Sequence, residues 1–112
     1  DAIRAGKAIT VHGDGSQTRD FVHVRDVVRA IYNALSSEVT GIFNIASGIE
    51  TSLNDLIQIV TDAQPSSLEV RREPQRKGDI LRSVADISAA RRALGFTTSV
   101  EFKKGLYELL TV

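Results

Sequence analysis

A chain of 112 residues suits one small domain with a modest core, and its 42% hydrophobic and 25% charged residues are the balance of an ordinary globular protein. Its 14 basic and 14 acidic residues cancel, which argues against nucleic acid and anionic membrane as partners. There is no cysteine, which excludes disulfides and thiolate metal sites and fits a cytoplasmic location, and no apolar run approaches the roughly 20 residues that cross a bilayer. No signal-peptide pattern is present; the chain opens at Asp1 in what reads as the tail of a helix (Ala-Ile-Arg-Ala, then Gly6), as a piece of something longer would.

Residues 8–11 are short, apolar and β-branched, which predicts a strand. Gly13 to Gln17 has the composition of a turn. Residues 20–24 alternate as a half-buried strand does, with Phe21 and His23 on one face and Val22 and Val24 on the other. A helix is predicted over 25–36, its buried stripe formed by Val27, Ala30, Ile31, Ala34 and Leu35. A strand is predicted over 42–46. Ser52 is the candidate N-cap of the next helix, with Asp55 as a short capping-box partner and Leu53, Leu56, Ile57, Val60 and Ala63 as its stripe. Pro65 closes that helix region. A strand over 68–72, a charged loop over 73–79 and a short strand over 81–84 follow. Asp86 is the expected N-cap of a helix over 87–94 that stops at Gly95, and Ser99 the cap of a last helix carrying Phe102, Leu106, Leu109 and Leu110. The pattern is α/β in a mixed α+β arrangement: a small sheet packed by four helices in one unit.

Gly13-Asp14-Gly15 invites a dinucleotide-fingerprint reading, but Thr18 occupies the third glycine position and a strand, not a helix N-terminus, follows. Arg19 stands where this turn meets the strand. A guanidinium there offers a planar pair of donors to phosphate oxygens, and the plain alternative is a surface arginine paired with Asp14 or Asp20. The dense charges from Arg71 to Asp79 read by themselves as a solvated loop. His12 and His23 have no metal-ligand spacing, so no metal site is expected. Asp26, at the opening of a helix, is explained by N-capping or by complementing the helix dipole in the first turn.

Three separated pieces, GDGSQTRDFVHVRDV, GIFNIASGIETSLNDL and RKGDILRSVADISAARRALGF, occur in an order that resembles the extended short-chain dehydrogenase/reductase family, the NAD-dependent nucleotide-sugar epimerases and dehydratases. The closing SVEFKKGLYELL is similar to the helix that ends these enzymes. The third piece is most similar to the UDP-glucose 4-epimerase-like group, with dTDP-sugar 4,6-dehydratases as near neighbours. The resemblance implies that residues 1–112 form a single substrate-binding domain, equivalent to the C-terminal substrate domain of such an enzyme without its Rossmann half. A nucleotide-diphosphate sugar and the N-terminal Rossmann half are then the implied partners. A piece parted from that half should expose an apolar face and self-associate, for instance as a homodimer.

By the same resemblance, Arg19 and Arg76 contact the substrate diphosphate, and Asp79 positions an arginine or binds a ribose hydroxyl. His12 stands where the family commonly has Tyr or Phe beside the base, with backbone groups of Thr10 and His12 reading the base edge. Phe21 either lines the nucleotide pocket or belongs to the core. Asn44 either lies close to the nucleotide or satisfies backbone groups. The family's catalysis uses a Tyr-x-x-x-Lys pair. Here Tyr32 and Tyr107 are followed at that spacing by Ser36 and Thr111, so no catalytic residue and no cofactor site is expected in this chain; NAD belongs to the intact parent. A non-catalytic nucleotide-binding or assembly module is the alternative from another class.

Overall fold

The computed structural model describes residue 3 and residues 5–63 and 68–111. Pro65 and part of the leading Ala-Ile-Arg-Ala stretch, both named above, lie outside them. Eight elements follow in order: β1 (Ile9–His12), β2 (Thr18–Asp20), α1 (Val24–Leu35), β3 (Glu50–Ser52), α2 (Leu53–Ala63), β4 (Val70–Glu73), α3 (Ser88–Leu94) and α4 (Phe102–Thr111). The architecture is mixed α/β. Its strands pair in two two-stranded sheets, β1 with β4 in parallel and β2 with β3 antiparallel.

Local chemistry explains most boundaries. The hydroxyl of Ser52 accepts from Asp55 N–H at 3.0 Å while Asp55 Oδ2 accepts from Ser52 N–H at 3.3 Å, so the predicted capping box closes the start of α2. Along α2, Leu53, Leu56, Ile57 and Ala63 are half-buried and Val60 is fully buried. Gly95 ends α3 in the left-handed region at φ 60°. Asp86 accepts from Ser88 N–H at 2.8 Å but stands one residue outside the formal cap of α3, which is Ile87.

Several expectations are corrected. The strand predicted over 20–24 lies earlier, at β2, and α1 begins at Val24, because the His23 ring accepts from Arg25 N–H at 3.1 Å and caps the helix. Residues 42–46 form no ladder; Ile42 is 98% exposed. Residues 81–84 also form no strand, their tie to β2 being Thr18 N–H donating to Leu81 O at 2.9 Å. Ser99 does not cap α4. It donates through N–H and hydroxyl to Asp26, at 3.0 and 2.8 Å. On α1 the inward side is Asp26, Val27, Ala30 and Asn33, whereas Ile31, Ala34 and Leu35 face outward.

The core is thin. Ala30, Ala90 and Phe96 form its buried cluster, with Phe43, Ile45 and Leu94 packed against it. The radius of gyration is 16.5 Å and the extents are 49 × 34 × 17 Å, against about 13 Å for a compact domain of roughly 100 residues. The molecule is a slab, and its outer face on α1 carries Val24, Val28, Ile31 and Leu35 at 66, 59, 56 and 82% exposure. Among the described residues no helix is long and apolar enough to cross a membrane.

Candidate functional site

The turn between β1 and β2 builds one side of a polar cleft. Gly13 and Gly15 take φ of 84° and 81°, which L side chains avoid. Between them Asp14 Oδ1 accepts from Ser16 N–H at 2.9 Å and from its hydroxyl at 2.6 Å. These Ser16 donors, hydroxyl before N–H, hold the Asp14 carboxyl below the ordinary carboxylate range. Gln17 Nε2 reaches back to His12 O at 2.7 Å and closes the loop on itself.

Arg19 follows on β2, half-buried. One guanidinium nitrogen donates to Thr18 O at 2.7 Å. Among the described residues no carboxylate pairs with it: Asp14 is engaged by Ser16, and Asp20 turns to the opposite side. The cleft beside Arg19, about 220 Å³, is lined by His12, Gln17, Gln75, Asp79 and Leu81 among others. Asp79 arrives there through a tight turn in which its N–H donates to Arg76 O at 3.2 Å and Gly78 takes φ 88°. His12, Arg19 and Asp79 are therefore brought together. Arg76 sits in the adjoining exposed turn and is not among the lining residues.

Ile9 and Gly13 donate their N–H groups to Glu69 O and Glu73 O, both at 2.9 Å. In a parallel ladder the alternate residues face away, so the backbone groups of Thr10 and His12 lie on the free edge of β1. One lone pair of His12 O is already taken by Gln17. His12 Nδ1 lies 3.6 Å from Glu73 Oε2, an ion pair only when the ring is protonated.

The other two candidates lie elsewhere. Phe21 stacks on Phe102 with ring centroids 5.1 Å apart and lines a separate apolar groove of about 450 Å³ with Leu56, Leu106 and Leu109. Asn44 is exposed, and its Nδ2 donates to Asp86 O at 3.3 Å. Among the described residues no group of three or more His, Asp or Glu side chains is gathered in a way that could hold a metal.

Sequence reasoning missed the residues behind the turn. Asn54 Nδ2 and Arg72 Nη1 both donate to Asp14 O, at 3.1 and 2.6 Å, and Arg72 Nη2 donates to Asn54 Oδ1 at 3.1 Å. A Cβ on Gly15 would stand 2.2 Å from Asn54 Oδ1, so only glycine admits this approach. No local signal marks Arg72, whose partner Asp14 is 58 residues away.

The sequence model of the family described as GDP-mannose 4,6 dehydratase matches residues 1–109. The chain is 37% identical over 107 residues to a UDP-glucose 4-epimerase of Mycolicibacterium smegmatis, covering 95% of this chain and 34% of that protein. A crystal structure of the Thermotoga maritima UDP-glucose 4-epimerase with UDP-glucose superposes at a TM-score of 0.87 and 32% identity, over 98% of this chain and 37% of that one. The Bacillus cereus UDP-glucuronic acid 4-epimerase, solved with UDP-glucuronic acid and NAD, gives 0.85 at 28% identity, over 98% and 37%. The chain thus spans about a third of the length of these relatives.

Proposed function

Because the chain belongs to the family described as GDP-mannose 4,6 dehydratase, nucleotide-sugar epimerases and dehydratases of the extended short-chain dehydrogenase/reductase type, we propose that it is the nucleotide-sugar-holding portion of a UDP-glucose 4-epimerase-like enzyme. The observation that carries this reading is Arg19: a half-buried guanidinium beside a polar cleft, with no carboxylate pairing it among the described residues. A guanidinium fork that rests one nitrogen on Thr18 O and has no carboxylate partner suits a diphosphate in such a place. Arg76, one turn away, supplies the second cation, and Asp79 accepts from a ribose hydroxyl or from Arg76. His12 packs against the base while the free edge of β1 at Thr10 and His12 meets its polar rim. Phe21 and Asn44 act outside this clamp, Phe21 by packing on Phe102 and Asn44 by tying residues 42–46 to Asp86 ahead of α3. Anchoring the diphosphate leaves the sugar free to be positioned by the rest of the enzyme, so that remote binding serves the reacting centre.

The glycine turn does not fit the pyrophosphate of NAD. The glycine turn runs into β2 rather than a helix N-terminus, and the space behind Gly15 is filled by Asn54. No step through the cofactor is assigned to this chain. In the intact parent, the Rossmann half would hold NAD and pack on the apolar face of α1. The thin core and slab shape support such a complement.

The test is a calorimetric titration of UDP-glucose into the chain and into its Arg19→Ala variant at low and high salt. The reading predicts saturable binding that weakens with salt, and a loss of at least about ten-fold in Arg19→Ala, the scale of a charge-assisted pair. Equal affinity in the two proteins contradicts it.

A further inference from the structure

Behind the glycine turn, on the side away from the cleft, two segments converge on one carbonyl. Asp14 O receives Arg72 Nη1 from β4 and Asn54 Nδ2 from the first turn of α2, and Arg72 Nη2 secures Asn54 Oδ1. Asn54 N–H donates to Gly15 O at 3.0 Å, Leu53 N–H to Gln17 O at 3.1 Å and Gly13 N–H to Glu73 O at 2.9 Å. Asp14 O, Gly15 O, Gln17 O and Gly13 N–H are thereby tied to α2 or β4, and His12, Gln17 and Arg19 of the same region line the cleft.

We infer that Arg72, together with Asn54, is a positioning residue for nucleotide-diphosphate binding: a brace that fixes the glycine turn and so the approach of Arg19, without itself touching phosphate. This inference rests on the functional reading above. Two features separate Arg72 from a third phosphate ligand. It is absent from the lining of the cleft, and the one N–H that Nη1 gives to a backbone carbonyl and the one that Nη2 gives to an amide oxygen orient its fork onto the turn and Asn54. Its planar fork spans two acceptors at once, which a lysine ammonium on a single stem does not reproduce.

The test is UDP titration at two salt concentrations into the wild-type chain, Arg72→Ala, Arg72→Lys, Asn54→Ala and the Arg72→Ala/Asn54→Ala double variant, with Arg19→Ala as the reference. The brace predicts that each Ala variant loses about three- to ten-fold in affinity and that Arg72→Lys keeps part of it. It predicts that the double variant is little worse than the worse single, because both donors serve one carbonyl. Salt sensitivity stays at the wild-type level in every Arg72 variant and falls in Arg19→Ala, since Arg19 lines the cleft and Arg72 does not. Should Arg72→Ala not fold, Arg72→Lys and Asn54→Ala carry the same comparison. Wild-type affinity in these variants, or a reduced salt sensitivity matching that of Arg19→Ala, overturns the brace while leaving the functional reading intact. A wild-type chain that binds no UDP overturns the reading, and the brace with it.

Discussion

Asp20 and Asp26 each gather backbone donors from segments far away in sequence. Asp20 accepts from Ser47 N–H at 2.7 Å, Gly48 N–H at 2.9 Å and Ala85 N–H at 3.2 Å; Asp26, 1% exposed, accepts from Ser99 and Val100 and pairs with Arg29 at 3.0 Å. At both, burial pushes the carboxyl upward. The donors outweigh it: Ser47, Ala85 and Gly48 at Asp20, and Ser99 and Val100, then Arg29, at Asp26, so both pKa values lie below the ordinary one. A folded pKa below the unfolded one gives stabilisation that is complete above the unfolded value near about 4 and is lost as pH falls through the folded value. Urea midpoints should therefore be flat from pH 7 to 5 and fall below pH 4, and Asp26→Ala should cost about 2–4 kcal/mol at pH 7 while flattening the acid limb. An unchanged acid limb in Asp26→Ala would contradict this role. Sequence reasoning put Asp26 in a helix's first turn, which is correct, but its partners are 73 and 74 residues away and leave no local mark. The place of Arg19, where a glycine turn runs into a strand, was legible because that setting is local, while the phosphate role proposed for it comes from the resemblance.

At the scale of elements, capping chemistry read well at the start of α2 and the end of α3 but not at Ser99 or His23, and strand pairing was not foretold. Ser52 and Asp55 announce α2 within four positions of sequence, whereas β3 is a three-residue strand whose pairing with β2 no alternation foretells. Helix α1 is the instructive case. Apolar residues occur on both of its sides, so periodicity selected a stripe that mixes inward Val27 and Ala30 with outward Ile31, Ala34 and Leu35. Val24, Val28, Ile31 and Leu35 make an outer apolar row, and Ile42 stands fully exposed on a segment with strand composition but no ladder. Such a surface in water favours association. Replacing Ile31 and Leu35 together by Glu should leave the fold intact and shift the chain toward monomer in sedimentation at raised concentration. A wild-type chain already monomeric under those conditions would show that the row needs no cover.

At the scale of the whole molecule, a flat body with a small core presents a polar cleft, built by the β1–β2 turn and the turn before Asp79, and an apolar outer face on α1. The family was legible in the order of three motifs, because they are specific when taken together. The brace of Asn54 and Arg72 was not, because it exists only once α2 and β4 flank the turn. The division of labour proposed here, substrate holding in this chain and hydride chemistry in another half, places the ligand at one location. The most direct measurement is a nitrogen-labelled amide spectrum of the chain titrated with UDP. The account predicts saturable shifts concentrated at residues 10–19 and 75–79, with the outer amides of α1 unmoved. Shifts confined to α1 or to the Phe21–Phe102 groove, or none at all at saturating nucleotide, would contradict it.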